Sequence, residues 1–220
     1  MPTLNFADTK GTCHLAYDAE KGERYKFPDG VIWKVIDSVS SWGCGYKSIL
    51  IQPESKDKNV TVLAFAVTDS VLDWKTDLDQ ALGEMPLQYI LSVQVTVKHQ
   101  KEYGSLFLTG HSLGGGLAAF SSVSTKIPAN TINPAPLVGK IAKEDSNENS
   151  QITNYIAGDW EVVSSLPGRN PGKKVHVSGK GGCFDRHSLE NVAPEFGFPK
   201  LVDGLLDIVE KVIEAVKQTK

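Results

Sequence analysis

Gly110, Ser112 and Gly114 place a serine between two glycines, each two residues away, within Ser105-Leu106-Phe107-Leu108-Thr109-Gly110-His111-Ser112-Leu113-Gly114-Gly115-Gly116-Leu117-Ala118-Ala119-Phe120. That spacing suits nucleophilic attack by a hydroxyl on a carbonyl carbon. A short apolar run leads in and reads as a strand; a small-residue, helix-forming run leads out. A sharp turn between them lifts the serine hydroxyl out of the sheet and leaves no room for side chains at the flanks, hence the glycines. The same turn aims the Leu113 N–H and the helix N-terminus at the space beside Ser112, where charge would collect on an attacked oxygen. A serine hydroxyl is too weak an acid to attack alone, so the pattern calls for a histidine base and a carboxylate behind it.

The elements that must hold such a turn alternate along the chain. Strands are expected at Val31–Ile36, Tyr46–Gln52, Asn59–Val67, Ser105–Thr109, Ala129–Asn133, Ile152–Ala157 and Lys174–Val177. Several are short apolar runs, the signature of strands covered on both faces. Helices are expected at Asp73–Leu82, Leu87–Lys101, Leu113–Lys126 and Leu201–Lys217. In the second, Val93, Val95 and Val97 alternate with polar residues like a strand, but parallel neighbours need a crossover, which favours helix. In the last, Val202, Leu205, Leu206, Val209, Val212 and Val216 form one apolar stripe suited to capping a core. The expected fold is α/β, with a largely parallel central sheet flanked by helices.

The 220 residues suit one domain, taken as residues 1–220. A net charge of −3, from 23 basic and 26 acidic residues, argues against a nucleic-acid partner. The longest apolar run, Val62–Val67, is far too short to span a bilayer, so no transmembrane segment is expected. Three scattered cysteines (Cys13, Cys44, Cys183) fit neither a disulfide framework nor a zinc site. No metal-ligand spacing, phosphate loop or nucleotide fingerprint occurs, so no metal or cofactor is expected. The N-terminus lacks the basic start and apolar core of a secretory signal, so synthesis in the cytoplasm without one is expected.

Thr109-Gly110-His111-Ser112-Leu113-Gly114-Gly115 resembles the elbow of the class 3 lipase family, which includes the fungal triacylglycerol lipases. Leu63–Leu78 is similar to that family's Phe-Arg-Gly-Thr strand end and Asp-Trp-x-x-Asp-Leu segment, with Ala66-Val67 standing in place of Arg-Gly. Thr131–Gly139 is similar to its post-helix strand and Pro-x-Val-Gly turn, and Trp160–Pro167 resembles its Asp-x-Val-Pro-x-Leu-Pro segment. The resemblance runs from about Tyr46 to His187. It implies an α/β-hydrolase, with the chain order nucleophile, acid, histidine.

Asp159, at the end of the Ile152–Ala157 strand, is the expected acid; Asp145 in a polar loop and Asp185 beside His187 fit less well. His14 and His99 precede the elbow, and His111 sits inside it. His187, in a loop, is favoured over His176, in a strand, because loops carry catalytic groups more often. The oxyanion donors are the Leu113 N–H and, by resemblance, Thr68. The resemblance also implies a lid after Thr68, where Val71, Leu72 and Trp74 would cover an acyl slot; the plainer reading of Trp74 is core packing.

The substrate implied is a lipid or phospholipid acyl ester at a membrane or micelle surface. Arg169, Lys173, Lys174 and Arg186 are candidates to favour an anionic headgroup, against the plainer reading of a solvated basic face. A small-ester or thioester hydrolase and a non-catalytic lipid- or partner-binding pseudoenzyme are the competing readings. Small lipase-like domains without signal peptides occur among antibacterial effectors exported by specialised, type VI-like systems. By that analogy an immunity partner is implied as well.

Overall fold

The computed structural model describes residues 3–41, 43–55, 57–67, 87–138 and 151–202. Strand β4 (Thr61–Val67) is buried along its whole length, and its side chains alternate between two cores. Leu63, Phe65 and Val67 join one cluster; Val62, Ala64 and Ala66 join the other. A strand covered on both faces must be apolar throughout, which is why no polar alternation shows in this stretch.

Around β4 the chain builds one nine-stranded sheet from its described residues. The other strands are β1 (Arg24–Lys26), β2 (Ile32–Ser41), β3 (Tyr46–Pro53), β5 (Leu106–His111), β6 (Ala129–Ile132), β7 (Ile152–Ala157), β8 (Lys173–Val177) and β9 (Lys200–Leu201). The spatial order is β8-β7-β6-β5-β4-β3-β2-β1-β9. From β4 to β8 the neighbours are parallel. From β4 out to β9 they are antiparallel. The sheet is therefore mixed, and the expected α/β-hydrolase architecture has its parallel half where the elbow lies. All seven expected strands form; the short strands β1 and β9, at the antiparallel end of the sheet, are additional.

Two helices lie on one face. Helix α2 (Leu87–Tyr103) is the one whose valines alternate. Its buried positions are Tyr89, Ser92, Thr96 and His99, a stripe at helical spacing made of mostly polar side chains. They are buried because α3 (Leu113–Thr125) packs closely against them: Ser121 Oγ of α3 donates to Ser92 Oγ at 2.9 Å, while Thr96 Oγ1 is satisfied within α2 by the Ser92 carbonyl. The valines are only half-buried flanks.

The other face carries a helix that sequence periodicity does not reveal. Helix α1 (Phe6–Asp18) is capped by Asn5, whose side chain accepts from the Asp8 N–H at 2.8 Å. It buries Asp8, Thr9, Lys10 and Thr12, so no apolar stripe marks it. Each buried polar group is satisfied. Lys58 Nζ bonds both Asp8 oxygens, Lys10 Nζ donates to the Ala193 and Phe196 carbonyls, and Thr12 Oγ1 meets Thr109 Oγ1 at 3.1 Å. Two expected helices, Asp73–Leu82 and nearly all of Leu201–Lys217, lie outside the described residues. No helix among the described residues is long and apolar enough to cross a membrane.

Candidate active site

The expected elbow forms at the C-terminal end of β5, where His111 pairs with Ile132 of β6 and Gly110 with Phe65 of β4. Ser112 follows at φ 56° and ψ −126°, a strained conformation for a residue with a side chain. Surrounding hydrogen bonds hold it there. Its N–H donates to the Ile132 carbonyl at 3.1 Å, and its own carbonyl accepts from Gly116 and Ala135. The flanking glycines are required by close approach. A Cβ on Gly110 would stand 2.1 Å from the Gly114 carbonyl oxygen, and one on Gly114 would stand 2.3 Å from that of Phe65. Leu113 opens α3 directly after Ser112, so its N–H has no intrahelical acceptor.

His187 ends a single 3₁₀ turn, Asp185–His187. Its Nε2 lies 2.8 Å from Ser112 Oγ, so the structure brings these two residues together. His176 stays on β8, exposed, with Nδ1 2.7 Å from the Gly158 carbonyl.

The structure does not bring Asp159, the expected acid, to this pair. Asp159 is exposed in the bend after β7, and the carboxylate on His187 is that of Glu161, with Oε1 2.7 Å from Nδ1. Gly158 turns the chain with φ 69°, which sends Asp159 and Trp160 into solvent and returns Glu161 to the interior. Glu161 is completely buried, and the backbone supplies what water cannot. Val163 N–H donates to Oε1 at 3.0 Å and Ser164 N–H to Oε2 at 2.7 Å. Burial alone would raise this carboxyl. The His187 hydrogen bond and charge, with the two backbone donors, outweigh it and hold the group below the ordinary glutamate value. A carboxylate only accepts, so Nδ1 of His187 carries the hydrogen and Nε2 is free to accept from the Ser112 hydroxyl. A signal for Glu161 was present: counting back from Leu166-Pro167 along the Asp-x-Val-Pro-x-Leu-Pro pattern lands on residue 161, not 159.

His111 is buried beneath the elbow, and burial followed by the neighbouring His187 pushes it down to about 3. It is therefore neutral at ordinary pH.

The cations are not gathered at this site. Lys173 and Lys174 sit at the start of β8, opposite Thr153 and Asn154, while the site lies beyond the ends of β5, β6 and β7. Arg169 bridges to Leu137. Arg186 alone of the four is near, its guanidinium folded against Gly158. Two large aromatic side chains close in sequence to the site residues are exposed: Trp160, which precedes Glu161, at 74% and Phe184, which precedes the His187 turn, at 68%. Thr68, Val71, Leu72 and Trp74 lie outside the described residues.

Two solved structures share the fold at low identity. A lipase from Rhizopus microsporus var. chinensis superposes with a TM-score of 0.51 at 14% identity, covering 74% of this chain and 69% of that one. A triacylglycerol lipase from Penicillium expansum gives 0.51 at 13% identity, covering 89% and 88%. The extracellular phospholipase A1 of Serratia liquefaciens is 42% identical over 82 residues, which is 37% of this chain and 25% of that protein's length. Residues 31–193, a span that holds the elbow, the buried glutamate and the histidine turn, match the Tle-like phospholipase domain, and the chain belongs to that family.

Proposed function

We propose that the chain hydrolyses phospholipid acyl esters through an acyl-enzyme, with Ser112 as nucleophile, His187 as general base and acid, and Glu161 as the carboxylate behind it. The observation that carries this reading is the unbroken line from Ser112 Oγ through the imidazole to Glu161, 2.8 and 2.7 Å long. Ser112 Oγ attacks the ester carbonyl while its proton passes to Nε2 of His187. The imidazolium is stabilised by Glu161 and then protonates the departing alcohol oxygen. Water, deprotonated by the same nitrogen, attacks the acyl carbon, and the proton returns to Ser112 as the fatty acid leaves. The Leu113 N–H is the first oxyanion donor; Thr68 is the second in this reading.

A phospholipid is favoured over a soluble ester by the family and by Trp160 and Phe184, which offer a lipid surface two large apolar groups beside the reacting line. A phospholipase of this kind would attack the membranes of any cell that contains it, so the reading includes export and a neutralising partner, with action as an antibacterial effector. The test uses vesicles carrying differently labelled sn-1 and sn-2 chains. Free fatty acid should appear with wild type and not with Ser112→Ala, and a fluorophosphonate probe should label Ser112. Activity on monomeric short-chain esters without any on vesicles would favour the small-ester reading; inactivity on both, with no labelling, would favour the binding-only one. Toxicity of periplasmically directed wild type, absent for Ser112→Ala, would test the effector role.

A further inference from the structure

His187 is held from outside its own segment. Residues 178–187 are largely exposed, with glycines at 179, 181 and 182, and a single 3₁₀ turn cannot fix an imidazole by itself. Asn191 Nδ2 donates to the Asp185 carbonyl at 2.9 Å, and Asn133 Nδ2 donates to the Arg186 carbonyl at 2.8 Å. The carbonyl of His187 itself lies 2.7 Å from Nε2 of His111. A carbonyl oxygen only accepts, so Nε2 of His111 carries the hydrogen. Its Nδ1 is then bare, and Tyr17 Oη, 2.9 Å away, donates to it. In the other tautomer a lone pair on Nε2 would face the carbonyl oxygen at 2.7 Å, which is repulsive.

We propose that His111 and Tyr17 are positioning residues for the reaction. Tyr17 of α1 locks His111 as the Nε2–H tautomer, and His111 uses that hydrogen to hold the His187 main chain over Ser112. This rests on the catalytic reading of Ser112 and His187 given above. His111 is the chain neighbour of Ser112, so nucleophile and base are tied through one imidazole. A displacement of about 1 Å at the base costs on the order of 10²-fold in rate, so a tie of this kind controls turnover without touching substrate. Tyr17 lies before residues 31–193, the span that matches the family, so it joins the site from α1.

The experiment uses the full chain labelled with ¹⁵N-histidine. Long-range ¹H–¹⁵N spectra at neutral pH should show His111 protonated at Nε2 and bare at Nδ1. Kinetics on a soluble p-nitrophenyl ester should then separate positioning from binding. Tyr17→Phe should lower kcat by about tenfold and His111→Leu by about 10²-fold, with KM within about twofold. His111→Gln, whose amide nitrogen reaches the same carbonyl, should recover most of the loss. An Nδ1–H or doubly protonated His111 overturns the proposal, as do a His111→Leu rate within about threefold of wild type or losses that fall on KM. If His111→Leu does not fold, the wild-type spectrum and Tyr17→Phe still decide. A wild type inert to every ester, with the Nε2–H tautomer intact, refutes the catalytic reading and not the tie.

Discussion

Replacing Glu161 by Gln exchanges one oxygen for an NH₂ group and should nearly stop the reaction. The carboxylate accepts three hydrogen bonds, from His187 Nδ1 and Val163 N–H at Oε1 and from Ser164 N–H at Oε2. A glutamine amide must turn its NH₂ toward one of those oxygen positions. At the Oε2 position it opposes the Ser164 donor; at the Oε1 position it opposes Val163 and drives the proton of His187 from Nδ1 to Nε2. In the second case Nε2 points a hydrogen at Ser112 and cannot take one. In the first, the imidazolium loses its counter-charge on its buried side. Either way kcat should fall about 10³- to 10⁴-fold, a barrier increase of about 4 to 5.5 kcal/mol. One buried backbone N–H loses its acceptor as well, which lowers stability by about 1–3 kcal/mol. Asp159→Asn, two residues away but exposed, should change kcat by less than about threefold. The assay is initial rate on a soluble p-nitrophenyl ester, with thermal melts to confirm folding. An Asp159→Asn loss larger than that of Glu161→Gln would refute the assignment of the acid.

Ser112→Gly should remove fluorophosphonate labelling yet raise stability by about 1–3 kcal/mol, read by denaturant titration, because glycine accepts the φ of 56° without strain. Trp160→Ser and Phe184→Ser should each lower phospholipid-vesicle hydrolysis about tenfold, with a much smaller change on a soluble ester; equal losses on both substrates would place these rings in folding rather than in surface contact. Acid should unfold the protein partly through His111. The unfolded chain takes up a proton near 6.5 and the folded one not until about 3, so stability falls with pH across that window, by up to about 1.4 kcal/mol per unit. His14 and His99 are lowered too and add in the same sense, and the lowered Glu161 and Glu190 add below about 4.5. Denaturant titrations from pH 4 to 7 should show a shallower slope for His111→Gln.

The legible parts of the fold are those where one physical demand dominates. β4 and β5 are buried on both faces, so their apolar runs announce strands, and the elbow's glycines answer backbone contacts under 2.5 Å that no side chain survives. α1 is hidden because Asp8, Thr9, Lys10 and Thr12 are buried along with Cys13, Leu15 and Ala16, which breaks any apolar stripe. Lys10 and Asp8 are legible as buried only once the carbonyls of residues 193 and 196 and the ammonium of Lys58 are known to stand opposite them. The histidine that meets Ser112 could be singled out by chain order and loop placement. The carboxylate that meets His187 is Glu161 and not Asp159 because proximity to a strand end is a weaker criterion than a pair of backbone donors, and those donors appear only when the chain after Gly158 has turned back inward.

The site's position follows from where three parallel strands stop being regular. β5 ends at Ser112 with φ 56°, β6 runs into Asn133 with φ 43°, and β7 ends at Gly158 with φ 69°. Each left-handed step turns the chain sharply at the same end of the sheet, so three consecutive strands release their loops into one place, the carboxyl edge where parallel sheets receive ligands. Only the third step is glycine. The other two are strained, and each is held by hydrogen bonds that also build the site: Ser112 by the Ile132 carbonyl and the Ala135 N–H, Asn133 by donating to the Arg186 carbonyl and accepting from the Ala157 N–H. Asn133 thereby joins the end of β7 to the turn that carries His187, while Gly158 lets the next residues return Glu161 to that same imidazole. Strain at two strand ends is thus kept by the bonds that align Ser112, His187 and Glu161, and relaxing either end would loosen the line between them.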